Sequence, residues 1–322
     1  MRLKLVPDDT NIDFFKHAKA TFGASCVAMV LSLVVWLMLG LNFGIDFRGG
    51  TTIRTEGTEQ VDVAAYRAAI EPLELGDVVI SEVFDPSFGD DRNVAMVRIQ
   101  AQEGQESVAS DTVAAVEAAL SEVDPSITFP SVESVGPKVS GELINTALLA
   151  VGAALAAMLF YIWLRFEWQF AVGAVGALVH DILLTIGIFS LFQIRFDVAT
   201  IAALLTVLGY SINDTVVIFD RLRENLIKWK QRELRDVMNL SVNETLSRTV
   251  MTSGTTLLAL IALLVLGGDV IRGFVFAITW GVIVGTYSSV FVAKNIVLFL
   301  GVKRDWSKPD KTDGNQFANI DS

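Results

Sequence analysis

Five ionisable side chains stand inside stretches too apolar for an ordinary protein surface: His180, Asp181, Asp214, Arg248 and Lys294. At membrane depth a charge costs about 2.5 to 3.5 kcal/mol on insertion scales, so each requires a reason. Asp214 and Arg248 offer the clearest chemistry. Asp214 lies five residues before Phe219, hence about 7 Å inside the end of its span at about 1.5 Å per residue. Arg248 lies two residues inside the next span, about 3 Å deep on the same rise. The two helices run antiparallel, so the pair is expected to meet. One reading is a structural ion pair, which is often no more stabilising than apolar packing. The other is transport by a carboxylate that takes up and releases a proton as its access changes, balanced between desolvation and a neighbouring positive charge. Thr206, Ser211, Asn213 and Thr215 on one span, with Thr252, Thr255 and Thr256 on the other, supply hydroxyls and an amide able to hold water for proton movement.

His180 and Asp181 sit near the middle of another span, too deep to reach headgroups. They read equally as structural glue between helices or as part of a polar pathway. Lys294 lies near the end of the last span and is expected to snorkel to the headgroups. Two aspartates on adjacent spans also raise an intramembrane aspartyl protease, in which two carboxylates share a proton. Against it, Asp181 and Asp214 fall at different depths, and Ser211-Ile212-Asn213 precedes Asp214 where such proteases carry Gly-x-Gly.

The elements that must hold these residues follow from composition. Of 322 residues 52% are hydrophobic and 19% charged, where a soluble domain is about a quarter charged. The apolar residues cluster in six blocks, roughly 22–41, 143–164, 170–192, 199–219, 246–266 and 274–298, each long enough for a hydrocarbon core that takes about 20 helical residues. The first block is expected to be a retained helix, because its uncharged run is long and no small-residue cleavage site precedes Asn42. Arg2, Lys4, Lys16 and Lys19 precede it, Arg165 follows the second block, six bases fill 220–245, and Lys303 and Arg304 follow the sixth. By the positive-inside rule both termini are cytoplasmic, with tails at 1–21 and 300–322. The loop 220–245 mixes its bases with Leu222, Leu226, Trp229 and Leu234, which allows a helix on the membrane surface. Gly281, Gly285 and Ser289 recur at every fourth position, a signal of close helix approach.

The segment 42–141 differs. From Phe43 to Lys138 it holds 18 acids against 6 bases, and the rest of the chain 18 against 19. Strands are expected at 51–55, 77–84, 93–101 and 127–135, with helices at 61–70 and 107–122, the order βαββαβ of a ferredoxin-like sandwich. It contains no His or Cys, and its carboxylates scatter over a solvated face. A net charge of −11 excludes a basic nucleic-acid surface, the lone Cys26 excludes a disulfide framework, and no G-x-x-x-x-G-K-[ST] stretch offers a nucleotide site.

At the junction stands Gly44-Ile45-Asp46-Phe47-Arg48-Gly49-Gly50-Thr51. By residue type alone it is a glycine-rich turn into a strand, with Asp46 and Arg48 solvated. Together with the six spans, with Gly209 to Thr215 running into Asp220 to Asn225, and with Thr245 to Thr249 followed by Thr252 to Thr256, the sequence resembles the SecF family. These are membrane subunits of the bacterial SecD–SecF protein-export complexes. The resemblance covers about residues 15 to 300. It implies a six-helix bundle of the resistance–nodulation–division type with one α+β ferredoxin-like extracytoplasmic domain, in the cytoplasmic (inner) membrane. It also implies a SecD-like partner, a SecYEG channel and a YajC-like protein nearby, and a translocating polypeptide as substrate. The resemblance further implies the proton gradient as energy source, with no cofactor. Gly44, Asp46, Phe47, Gly49 and Gly50 carry the family motif, and Asp214 with Arg248 the proton relay, supported by Asn213, Ser211 and Thr252; Asp181 and His180 are secondary candidates. Half of a small-solute exporter of the same superfamily is the main alternative function.

Overall fold

The computed structural model describes residues 10–76, 78–84, 92–100 and 108–302. Of the expected tails, residues 1–9 and 303–322 lie outside this range, and the first helix already begins at Ala18. Along the chain, α1 (Ala18–Leu39), β1 (Asn42–Phe43) and the single turn α2 (Ile45–Arg48) lead into an outer domain of β2 (Gly50–Gly57), α3 (Val63–Ile70), β3 (Val78–Val83), β4 (Asn93–Gln100), α4 (Ser110–Val123) and β5 (Thr128–Val135). Then come α5 (Pro137–Arg165), α6 (Trp168–Leu191), β6 (Arg195–Phe196), α7 (Val198–Lys228), α8 (Leu234–Leu266), α9 (Asp269–Ser288), a π-helical turn (Ser289–Ala293) and α10 (Lys294–Leu300).

Six helices are long and apolar enough to cross a membrane, the sixth running from α9 through the π turn into α10. The inner layer is α6, α7 and the α9–α10 helix, while α1, α5 and α8 keep most of their apolar surface outward. Small residues set the inner spacing. A methyl group at Gly285 would lie 2.9 Å from Ser211 Cβ of α7, and one at Gly281 would overlap Val207. The every-fourth-residue stripe therefore packs α9 on α7 within the chain, and Ser289 is buried there too. In the 220–245 segment the structure departs from a surface helix. The α7 helix runs on to Lys228 and α8 starts at Leu234, because Leu222, Leu226, Val237 and Met238 lie on inward faces and join the core of Phe170 and Phe219. The bases occupy the outward faces, so the loop shrinks to 229–233.

The outer domain is a four-stranded antiparallel sheet of order β3-β4-β2-β5. That is the ferredoxin-like order produced by two interleaved split β-α-β units. Asp62 starts α3 by accepting from the N–H groups of Ala64 (2.9 Å) and Ala65 (3.0 Å). Ala95, Val97 and Ile99 of β4 face Val116 and Leu120 of α4. The alternate set Val94, Met96 and Arg98 lines the other face, as strand periodicity requires. Burial and the positive charge of Arg195 hold the Arg98 guanidinium down to about 10.

Candidate functional site

The glycine-rich octet joins the outer domain to the bundle. Gly44 donates its N–H to Phe196 O at 2.8 Å, and β1 pairs in parallel with β6. A side chain at Gly44 would press on Arg195 Nε at 3.0 Å. Phe47 enters a cluster with Phe43, Phe189 and Phe196. Gly49 and Gly50 adopt φ of 75° and 139°, which side-chain-bearing residues avoid. Asp46 is not simply solvated: its Oδ2 accepts the Val198 N–H at 3.1 Å, satisfying one orphan donor at the start of α7. The strand that begins the outer domain is thus fastened to the helix that carries Asp214.

Two polar centres lie along that helix. In the first, Asp181 of α6 is 0% exposed and gathers three donors. His180 Nδ1 stands 3.0 Å from Oδ1, and the hydroxyls of Ser211 (2.6 Å) and Ser288 (2.9 Å) donate to Oδ2. His180 stacks on Tyr287 with ring centres 6.1 Å apart. The Tyr287 hydroxyl donates to Thr21 O at 3.0 Å and accepts from Ser25 at 3.1 Å. One cluster therefore links α1, α6, α7 and α9, and His180 Nε2 within it is buried without a hydrogen-bond partner.

The second centre is Asp214, three residues further along α7, 3% exposed, with Oδ2 buried and unpartnered. Here the expected pairing is corrected: no hydrogen bond or ion pair within 4 Å joins Asp214 to Arg248. Arg248 still acts on Asp214 as a nearby positive charge, but its direction around the helix keeps the two side chains out of hydrogen-bond reach. The buried positions of α8 include Thr245, Thr249 and Ser253, and Arg248 is offset from Thr249 by about 100°. Its side chain is exposed and lines a cleft of about 510 Å³ with Tyr161, Asp220, Arg221 and Glu244. Asn213 is exposed as well. Thr252 donates to the carbonyls of Arg248 and Thr249, both at 3.0 Å, and Thr255 and Thr256 bond back to α8 in the same manner.

Lys294 is a second correction. It is 1% exposed, donates to Phe14 O at 3.1 Å and sits 4.0 Å from the centre of the Phe15 ring. Phe14 and Phe291 complete an aromatic cage, because the π turn before Lys294 turns it inward. Ser288, Tyr287 and Ser25 were not singled out from the sequence; the only signal was polar residues in otherwise apolar spans.

Fold and site together define a class: a polytopic membrane protein with ionisable groups buried in its bundle and an α+β domain clamped to the helix that carries one of them. Residues 115–303 match the family described as "Protein export membrane protein SecD/SecF, C-terminal", and residues 34–61 match the SecD/SecF GG motif. The protein translocase subunit SecF of Cereibacter sphaeroides is 70% identical over 100% of this chain and 99% of its own length. That of Rhodobacter capsulatus is 65% identical over 97% of this chain and 96% of its own. The crystal structure of SecDF, a translocon-associated membrane protein from Thermus thermophilus, superposes with a TM-score of 0.81 at 34% identity, covering 93% of this chain and 40% of that one. SecDF in its super-membrane-facing form gives 0.67 at 36% identity, over 91% and 39%. The chain spans well under half of those solved chains. It belongs to the SecD/SecF family and, within it, to the SecF group.

Proposed function

We propose that this chain is a subunit of the protein-export machinery of the bacterial cytoplasmic membrane, and that with a SecD-like partner it uses the proton gradient to assist passage of unfolded polypeptides. Both termini are cytoplasmic in this reading and the outer domain extracytoplasmic. The SecYEG channel and a YajC-like protein are neighbours, and no cofactor or bond-making chemistry is involved. The observation that carries it is Asp214, a carboxylate buried in a membrane-type bundle with an unpartnered oxygen, on the helix whose first turn is fastened to the outer domain through Asp46. A proton crossing the field supplies about 2.3 kcal/mol per 100 mV. Differences of a few kcal/mol are enough to move a domain between two placements.

The partner reading rests on an exposed polar face. Thr206, Gly209 and Asn213 of α7 and Arg248 and Thr255 of α8 face outward, a run of polar and small residues that suits a protein neighbour better than lipid. A second subunit offering a carboxylate to Arg248 and polar groups to Asn213 fits this face. The solute-exporter alternative requires a twin or partner equally, and the protease alternative loses support because Asp181 is engaged by His180 and two serines. The test is export of a secreted reporter into inverted membrane vesicles carrying the complex. Stimulation by the complex is expected to vanish when an ionophore collapses the gradient while ATP is held constant. Equal stimulation with and without the ionophore contradicts the reading.

A further inference from the structure

The export reading uses Asp214 and leaves His180 and Asp181 without a role, although they are the most deeply buried ionisable groups among the described residues at 0% exposure. Their bonding limits their charge states. Ser211 donates to Asp181 Oδ2 at 2.6 Å, and Ser288 donates either to the same oxygen at 2.9 Å or to Gly285 O at 3.2 Å, while one proton occupies the 3.0 Å line between Oδ1 and His180 Nδ1. With only that proton the pair has charge −1 and Nε2 is an unpartnered acceptor. With one more, at Nε2, the pair is neutral and Nε2–H is an unpartnered donor. The first state carries a charge inside the membrane, offset by the donors around Asp181. The second removes the charge and leaves an N–H without an acceptor. Each state relieves the penalty of the other.

We propose that His180 and Asp181 act as one proton-binding pair, which gains and loses a proton at His180 Nε2, and that Ser211 conveys its charge state to α7 and so to Asp214. This rests on the reading of Asp214 as the proton-exchanging group. The chemistry is a single N–H bond made as a water-borne proton arrives and broken as it leaves, with no electron transfer. Ser211 is the link because its hydroxyl bonds Asp181 at 2.6 Å while its backbone carbonyl accepts from Thr215 at 3.2 Å, spanning the turn that holds Asp214. A charged Asp181 grips Ser211 more strongly than a neutralised one. From the helices packed on α6, the titratable group in contact with the pair is Tyr287 of α9, stacked on His180, and Asp214 lies three residues beyond Ser211 on α7.

The test uses the isolated membrane complex. In pH-difference infrared spectra of a His17→Gln/Asp214→Asn complex, a histidine ring-band component is expected to titrate and to be lost when His180→Gln is added. Gradient-driven export by Asp181→Asn, whose amide oxygen still accepts from the serines, should fall roughly tenfold or more, the scale of a lost proton-transfer group. Ser211→Ala should shift the pH midpoint of export, and Ser211→Thr, which keeps the hydroxyl, should restore it. Absence of a titration that depends on His180, or a wild-type pH profile in Asp181→Asn, overturns the pair. If Asp181→Asn fails to accumulate, the infrared measurement decides alone. Normal export by Asp214→Asn would instead defeat the export reading, on a measurement separate from the infrared one.

Discussion

Lys294 Nζ sits in an aromatic cage, with a backbone carbonyl and three rings around it. A desolvated cation–π contact contributes about 2 kcal/mol or more, and a hydrogen bond from a charged donor about 1.5 to 3. Both act on the segment 10–17, which Asn239 and Asn243 also hold through the backbone of Ile12 and Phe14. Lys294→Met keeps the volume and removes the cation, so abundance should stay near normal while protease cuts in 10–17 accelerate roughly tenfold or more. Limited proteolysis of the membrane complex measures this, and an unchanged rate would contradict the strap. The sequence showed that Lys294, Asp181 and Asp214 needed reasons to be where they are. It did not show the reasons, because the cage draws on Phe14, 280 residues from Lys294, the serine donors stand 30 and 107 residues from Asp181, and a π turn shifts the helix phase before Lys294.

The helices and strands were legible because their signals are local: uncharged runs of membrane length, alternation in β4, and the small-residue stripe on the last span. Their ends were less so, since α7 and α8 continue past the charged loop on inward faces that include Leu222, Leu226, Val237 and Met238. Rotation about the axis was the main loss, and it keeps Arg248 out of hydrogen-bond reach of Asp214 while its charge still acts there. The stripe gives a direct check of helix spacing. Gly281→Ala brings a methyl within 2.9 Å of Val207 Cβ and into its branches, an overpacking that costs about 1 to 3 kcal/mol. Thermal unfolding of the detergent-solubilised complex should shift down in Gly281→Ala and recover in part with Val207→Ala. A stable Gly281→Ala would show that α7 and α9 are not in close contact.

At the scale of the whole molecule, the outer domain, the octet and α7 form one mechanical line, from the sheet through Asp46 to the turn that holds Asp214. The line has direction only if the domain is outside. In a Cys26→Ala background, Ala118→Cys should react with an impermeant maleimide in intact cells, while Gln231→Cys, in the short loop between α7 and α8, should react only after the cells are opened. The reverse pattern would invert the topology. The central claim is that Asp214 exchanges protons and is not merely a structural residue. Asp214→Asn keeps volume and hydrogen-bonding capacity but cannot ionise. Export of a secreted reporter, measured beside immunoblot abundance of this chain, is expected to lose its gradient-driven component by roughly a hundredfold, within the range of general acid–base effects, at unchanged abundance. Gradient-driven export at the wild-type level in Asp214→Asn would contradict the account.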